Sequence, residues 1–148
     1  MKILVVDDSK VIRHTMLTLL RQLGYHDILA CEDVKQARAA LAQDNYDLIL
    51  SDWHMPGESG LDFLKYVRAT ERYAKIPFIM ITTETERGNV IEALKAGVQN
   101  YIFKPIQKDV LMEKIGALVK SHGIEPPSEN KKTITAGTAD QSNSTPAA

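Results

Sequence analysis

The sequence predicts an α/β protein: a doubly wound parallel sheet of five strands with five helices on its two faces. Two observations carry this. Short apolar runs alternate five times with stretches of helical spacing, the pattern of a parallel sheet whose crossovers are helices. The runs are also apolar on successive residues, as in Leu48-Ile-Leu50, which suits strands covered on both faces. With 148 residues and 44% hydrophobic content, there is material for one domain with a core and a little excess.

Lys2 to Val6 forms the first strand. Asp7-Asp-Ser9 follows and can cap a helix. That helix runs to about Leu23 on Ile12, Met16, Leu19, Leu20 and Leu23, and Gly24 stops it. Ile28 to Cys31 is a short second strand. Asp33 caps the second helix, where Val34, Ala37 and Leu41 share a face. This helix ends near Gln43, and the third strand runs from about Asp47 to Asp52. Pro56, Gly57 and Gly60 then mark a loop. The third helix spans about Leu61 to Ala69, with Leu61, Leu64 and Val67 inward. Pro77 opens the fourth strand, Phe78 to Thr82, and a polar loop covers Thr83 to Gly88. The fourth helix spans about Asn89 to Ala96 on Val90, Ile91 and Leu94, and Gly97 stops it. Asn100 to Phe103 is the fifth strand, and Lys104-Pro105 turns the chain sharply. The fifth helix spans about Gln107 to Ser121, with Leu111, Ile115, Leu118 and Val119 inward, and Gly123 ends it.

Composition changes from Ile124 onward. Ile134 is the single large apolar residue in the remaining tail. Such a segment buries too little to offset the entropy of ordering, so residues 124–148 read as a disordered tail or linker.

Charge and cysteine narrow the function classes. Eighteen basic and 19 acidic residues leave a net charge of −1, which gives no charge-driven nucleic-acid or membrane partner. A single cysteine, Cys31, excludes a disulfide framework and suits a reducing, cytoplasmic setting with Cys31 as core filler. The N-terminus reaches Asp7 too soon for a signal peptide or membrane span.

In an open α/β sheet the strand C-terminal ends face one crevice, where ligands bind. Here those ends carry Asp7 and Asp8, Asp52, Thr82 and Lys104. Three carboxylates together repel, and a hard divalent cation resolves the conflict; Mg²⁺ takes oxygen ligands. Asp8 and Asp52 are the expected direct ligands, with Asp7 direct or through water. Lys104 and Thr82 supply a charge partner and a hydroxyl donor for a phosphoryl group. Asp52, on the central strand, is best placed to act as nucleophile and become an aspartyl phosphate.

Asp7-Asp8, Asp52 with Met55-Pro56 and Gly60, Thr82, and Lys104-Pro105 together resemble the receiver domain of bacterial two-component response regulators. Trp53 and Tyr101 make the chain most similar to the stand-alone chemotaxis type. The resemblance covers residues 1 to about 123 and implies a flavodoxin-like fold with strand order 2-1-3-4-5. It implies that Asp52 accepts phosphate from a histidine kinase or phosphotransfer protein. It implies Mg²⁺ held by Asp7, Asp8, Asp52 and the backbone carbonyl of His54. Thr82 and Tyr101 are then the switch residues and Lys104 the phosphate contact. A downstream target, such as a flagellar motor component, would read the face of helix four, strand five and helix five. Such a protein catalyses its own phosphorylation and dephosphorylation, works as a monomer, and is not an enzyme on a separate substrate.

Three positions depart from the chemotaxis pattern or stand alone. His54 stands where asparagine is common and overhangs the site, which is expected to alter dephosphorylation rate. Thr83 stands where alanine is frequent; its bulk narrows access to Asp52, so Thr83→Ala is expected to speed phosphorylation by a small donor. Trp53, taken alone, reads as a partly exposed loop aromatic. Each motif residue has a bland reading too: a helix cap for Asp7-Asp8, a loop acid for Asp52, a strand-end residue for Thr82, a solvated lysine for Lys104. Only the ordered set outweighs them.

Other functions fit less well. A hydrolase of the haloacid-dehalogenase type carries an acid two residues after its strand-one nucleophile, and here that residue is Ser9. No Gly-rich phosphate loop supports a nucleotide or flavin module. A pseudo-receiver would not retain all five site residues. Within the receiver class, a relay intermediate or the front half of a longer regulator remains the alternative.

Overall fold

The computed structural model describes residues 1–83 and 87–122. The tail 124–148, Gly123 and part of the loop before the fourth helix lie outside the described residues. The elements follow in the order β1 (Lys2–Val6), α1 (Lys10–Gln22), β2 (Asp27–Cys31), α2 (Val34–Gln43), β3 (Leu48–Asp52), α3 (Gly60–Ala69), β4 (Phe78–Thr82), α4 (Arg87–Lys95), β5 (Asn100–Phe103) and α5 (Lys108–His122). The strands form one sheet in the order β2-β1-β3-β4-β5, every neighbouring pair parallel.

Strand parity divides the core between the two faces, because successive side chains point opposite ways. Ile3, Val5, Leu48, Leu50, Ile79, Ile81 and Ile102 pack with Met16 and Leu20 of α1 and Leu111, Ile115 and Leu118 of α5. Leu4, Val6, Ile49, Phe78 and Met80 pack with α2, α3 and Ala93 of α4. Every residue of β3 and of β4 is buried, which explains their unbroken apolar runs. Cys31 is buried at the end of β2 as core filler; burial pushes its thiol up to about 11.

The expected caps are present. Ser9 Oγ accepts from the Ile12 N–H at 3.3 Å, and Asp33 Oδ1 accepts from the Gln36 N–H at 2.8 Å. Ser59 and Asp62 form a reciprocal capping box on α3. Gly24 and Gly97, at φ 97° and 99°, turn the chain after α1 and α4 in the left-handed region open to glycine.

Two expectations are corrected. α4 begins at Arg87, two residues before the expected start, and its buried position among the described residues is Ala93, whereas Ile91 and Leu94 are exposed. A short helix with few deep positions turns a small residue to the sheet, which an apolar count does not reveal. Trp53 is buried within the core rather than partly exposed, because it continues the parity of β3 beyond Asp52 onto the α2–α3 face.

Candidate functional site

Strand register brings the predicted site residues together. Val6 is level with Ser51, so Asp7 lies beside Asp52, one residue further along each strand. Asp52 is level with Ile81 and Thr82 with Phe103, so Thr82 and Lys104 follow at the same rim. Asp7, Asp52 and Thr82 are buried; Asp8 is exposed. One carboxylate oxygen from each of Asp7, Asp8 and Asp52 lies within 4.8 Å of the others. Lys104 reaches in from the end of β5, with Nζ 3.0 Å from Asp52 Oδ1 and 3.5 Å from Asp7 Oδ2.

Backbone groups fix these side chains. Asp52 Oδ1 also accepts from the Trp53 N–H at 2.9 Å. Asp7 Oδ1 accepts from the Ser9 N–H at 2.9 Å. The Lys104 N–H donates to the Thr82 carbonyl at 2.8 Å, which ties the ends of β4 and β5. The Lys104–Pro105 peptide is cis. The carbonyl of Asp52 is gripped as well: Ser51 Oγ donates to it at 3.0 Å, and Gly60 packs directly on it.

The electrostatics are those of an acid-rich pocket with too little counter-charge. Burial raises the pKa of Asp52 above the ordinary carboxylate value, against the pull of Lys104 and the Trp53 N–H. Burial raises Asp7 too, and the neighbouring charge of Asp52 adds to it. Burial by itself would lower Lys104, but the hydrogen bond and charge of Asp52 outweigh that and raise it. Three carboxylates face one ammonium, so the pocket favours a further cation. Its donors are hard oxygens, which suits Mg²⁺ or Ca²⁺ rather than a thiophilic metal.

Tyr101 lies on β5, two strands from Asp52, and is half-buried. Its ring meets Phe103 edge-on at 5.2 Å and Lys114 Nζ at 5.3 Å, and it lines a groove of about 420 Å³ with Lys104, Gln107 and Val110. His54 is exposed beside the pocket, on the loop after β3.

One contributor and one packing role escape sequence reasoning. Arg13 Nη1 donates to the Asp7 carbonyl at 2.8 Å; the clue is an arginine in the first turn of α1, six residues after the acid it supports. Gly60 belongs to the motif the sequence shows, but its packing role, acting through the side chain it lacks against the Asp52 carbonyl, emerges only from the fold.

A family model described as the response regulator receiver domain matches residues 3–116. A Helicobacter pylori chemotaxis protein, CheY1, is 48% identical over 116 residues, 78% of this chain and 94% of that protein. The structure of Vibrio cholerae CheY4 superposes with a TM-score of 0.74 at 32% identity, covering 79% of this chain and 97% of that one. The receiver domain of a sensor histidine kinase from Pseudomonas aeruginosa, solved with magnesium in its active-site cleft, superposes with a TM-score of 0.73 at 28% identity, covering 80% and 97%. With its acids at neighbouring strand ends and this match over most of its length, the chain belongs to the response regulator receiver domain family and is homologous to the CheY chemotaxis proteins.

Proposed function

We propose that the chain is a phosphorylation switch whose phosphoacceptor is Asp52, fed by the phosphohistidine of a kinase or phosphotransfer protein and working with Mg²⁺. The observation that carries this reading is the contact of Lys104 Nζ with Asp52 Oδ1, 3.0 Å apart inside a cluster of three carboxylates. A carboxylate so placed is desolvated, held in one orientation and backed by a cation, as a nucleophile for phosphoryl transfer should be.

Asp7, Asp8, Asp52 and the His54 backbone carbonyl would hold the metal. When bound, it supplies positive charge that offsets the anionic oxygens of the transferring group. A carboxylate oxygen of Asp52 attacks phosphorus, the P–N bond breaks, and its electron pair leaves on the donor imidazole. Lys104 exchanges its partner from Asp52 to a phosphoryl oxygen, and the Thr82 hydroxyl donates to another. Both contacts exist only after phosphorylation, so they can bias a two-state equilibrium. Tyr101 then turns inward, and the face of α4, β5 and α5 changes its partner preference. The exposed Ile91, Leu94 and Met112 on this face support a docking role. The chemotaxis relatives support a motile-cell output, with a flagellar motor component as target. Among the described residues no helix is long and apolar enough to cross a membrane.

The test is incubation with acetyl phosphate and Mg²⁺. Mass spectrometry is expected to show a gain of about 80 Da, one phosphoryl group, in the wild type and none in Asp52→Asn. Trp53 emission is expected to change with it, since the Trp53 N–H donates to Asp52 Oδ1 and the chain has one tryptophan. A modified Asp52→Asn protein, or an unmodified wild type, overturns the reading.

A further inference from the structure

One side-chain cluster outside the acid pocket has no part in the reading above. Arg38 of α2 pairs through Nη2 with Glu58 Oε2, in the loop between β3 and α3. Its guanidinium carbon lies 4.3 Å from the ring centroid of Tyr66 on α3, a stacking distance. Nε of Arg38 is buried and has no hydrogen-bond partner among the described residues. The side chain thus forgoes one hydrogen bond to hold its place between loop and helix.

The loop it grips is the one that follows Asp52. Its base is closed by the Gly60 N–H, which donates to the Trp53 carbonyl at 2.7 Å, and Met55 is sunk into the core. Beyond Met55 the chain reverses at Gly57, with φ +83°. A cavity of about 310 Å³ separates this tip from the start of α2, lined by Asp33, Val34, Lys35, Pro56, Gly57 and Glu58. The Arg38–Glu58 pair ties the loop to α2 beside this cleft.

We propose that Arg38 is a positioning residue for the acid pocket: through Glu58 it holds the β3–α3 loop in the shape that presents the His54 carbonyl to a divalent cation, and so tightens metal binding without touching the metal. This rests on the metal-binding reading of Asp7, Asp8 and Asp52 given above. The pair is partly exposed, with side-chain exposures of 38% and 43%, so its contribution to global stability is small. Its effect is on the loop.

Charge sign makes the proposal testable. If Arg38 acted on the pocket only through its charge, removing it would tighten the binding of a cation. If it acts by holding the loop, removing it loosens that binding. The experiment is a Mg²⁺ titration of the full chain at fixed ionic strength, followed by Trp53 emission and by calorimetry. The variants are Arg38→Met, which keeps an apolar contact on Tyr66, Glu58→Gln, and the two combined. Each single variant is expected to bind Mg²⁺ about two- to fivefold more weakly, the range of a partly exposed pair, and the double variant no more weakly than either. The reversed pair, Arg38→Glu with Glu58→Arg, keeps the local net charge and is expected to recover affinity. Tighter or unchanged binding by Arg38→Met overturns the proposal while leaving the metal site standing. No saturable binding by the wild type overturns both.

Discussion

A Cβ added to Gly60 would lie 2.1 Å from the carbonyl oxygen of Asp52 and 3.0 Å from its carbonyl carbon. Real Cβ atoms do not approach a backbone oxygen so closely, and backbone yields less readily than a side-chain tip. Gly60→Ala must therefore displace either the end of β3 or the start of α3. We expect a loss of about 1–3 kcal/mol, the usual cost of overpacking. Phosphorylation of Asp52 is expected to fall roughly 100-fold, because a misplaced nucleophile loses its alignment. Ser59→Ala is the control. It removes the side-chain half of the α3 capping box, costs about 1 kcal/mol, and leaves Asp52 in place. Thermal melts and acetyl-phosphate kinetics on both variants separate local stability from active-site geometry.

The raised pKa values of Asp7 and Asp52 set a pH dependence with a definite sign. A group whose folded pKa lies above its unfolded value adds stability when protonated. That contribution is complete below the unfolded value of 3.8, and is lost as pH rises through the raised folded values. At neutral pH, without metal, the ionised pair thus works against the fold. Asp52→Asn is expected to be more stable than the wild type in EDTA at pH 7, by about 1 kcal/mol or more. The gap is expected to close as pH falls through the range of these two acids. Mg²⁺ is expected to stabilise the wild type at pH 7 and to lose its effect on acidification, as protons compete for the same oxygens. Melting curves from pH 4 to 8, with and without Mg²⁺, measure all three; equal wild-type and Asp52→Asn stability in EDTA at pH 7 would count against the buried-charge account.

Much of this site was legible because a parallel sheet converts sequence order into spatial order. The acids at Asp7, Asp8 and Asp52, with Thr82 and Lys104, each end a recognisable apolar run, and register brings such ends to one rim. The caps Ser9 and Asp33 were legible for a related reason, since a cap acts within three residues. What escaped depends on contacts between distant segments. Arg38 and Arg68 carry no local signal, since their hydrogen-bond partners lie up to 20 and 31 residues away. Trp53 reads as partly exposed because a loop begins there, yet it is buried. The strand parity that buries Trp53 continues one residue past the end of β3, where the Trp53 N–H still donates to the Ile81 carbonyl at 3.1 Å. In α4, Ile91 and Leu94 carried the apolar signal while Ala93 made the contact. A pattern of large residues does not report which small one faces the sheet.

Arg68 ties together the end of the molecule opposite the acid pocket. Nε donates to the Gly97 carbonyl at 2.9 Å. Nη1 donates to the carbonyls of Ala74 and Ile76 at 3.1 and 2.8 Å. Nη2 donates to Gln99 Oε1 at 2.6 Å, and that oxygen also accepts from the Phe78 N–H at 2.7 Å. Burial lowers its pKa, although a guanidinium stays charged at any ordinary pH. A lysine has one nitrogen and cannot reproduce this fork. Arg68→Lys and Arg68→Ala are both expected to lose about 1–3 kcal/mol, since several partly buried carbonyls lose their donor. Acetyl-phosphate labelling of the folded fraction is expected to be unchanged. Chemical denaturation measures the first outcome and mass spectrometry the second. Full stability in Arg68→Lys would show that charge, rather than the fork, holds these loops.

Lys104 opposes the acids in two ways that its removal should separate. In the metal-free protein its ammonium, 3.0 Å from Asp52 and 3.5 Å from Asp7, is the counter-charge that makes their burial tolerable. Its pKa is raised because the contact with Asp52 outweighs burial. Its stabilising contribution is therefore complete below the ordinary 10.5 and is lost as pH rises through the raised value. Lys104→Met is expected to destabilise the metal-free protein by about 1–3 kcal/mol at pH 7, as an opened and partly buried ion pair does. The same variant is expected to bind Mg²⁺ about five- to tenfold more tightly, because a partly solvated unit charge that competed with the cation is gone. If Lys104 also carries the signal outward, phosphorylated Lys104→Met still gains mass but no longer alters protection on the α4–β5–α5 face. Hydrogen exchange on wild type and variant, each with beryllofluoride and Mg²⁺, distinguishes a lysine that couples phosphate to this face from one that only neutralises the pocket; protection that changes equally in both assigns Lys104 the second role alone.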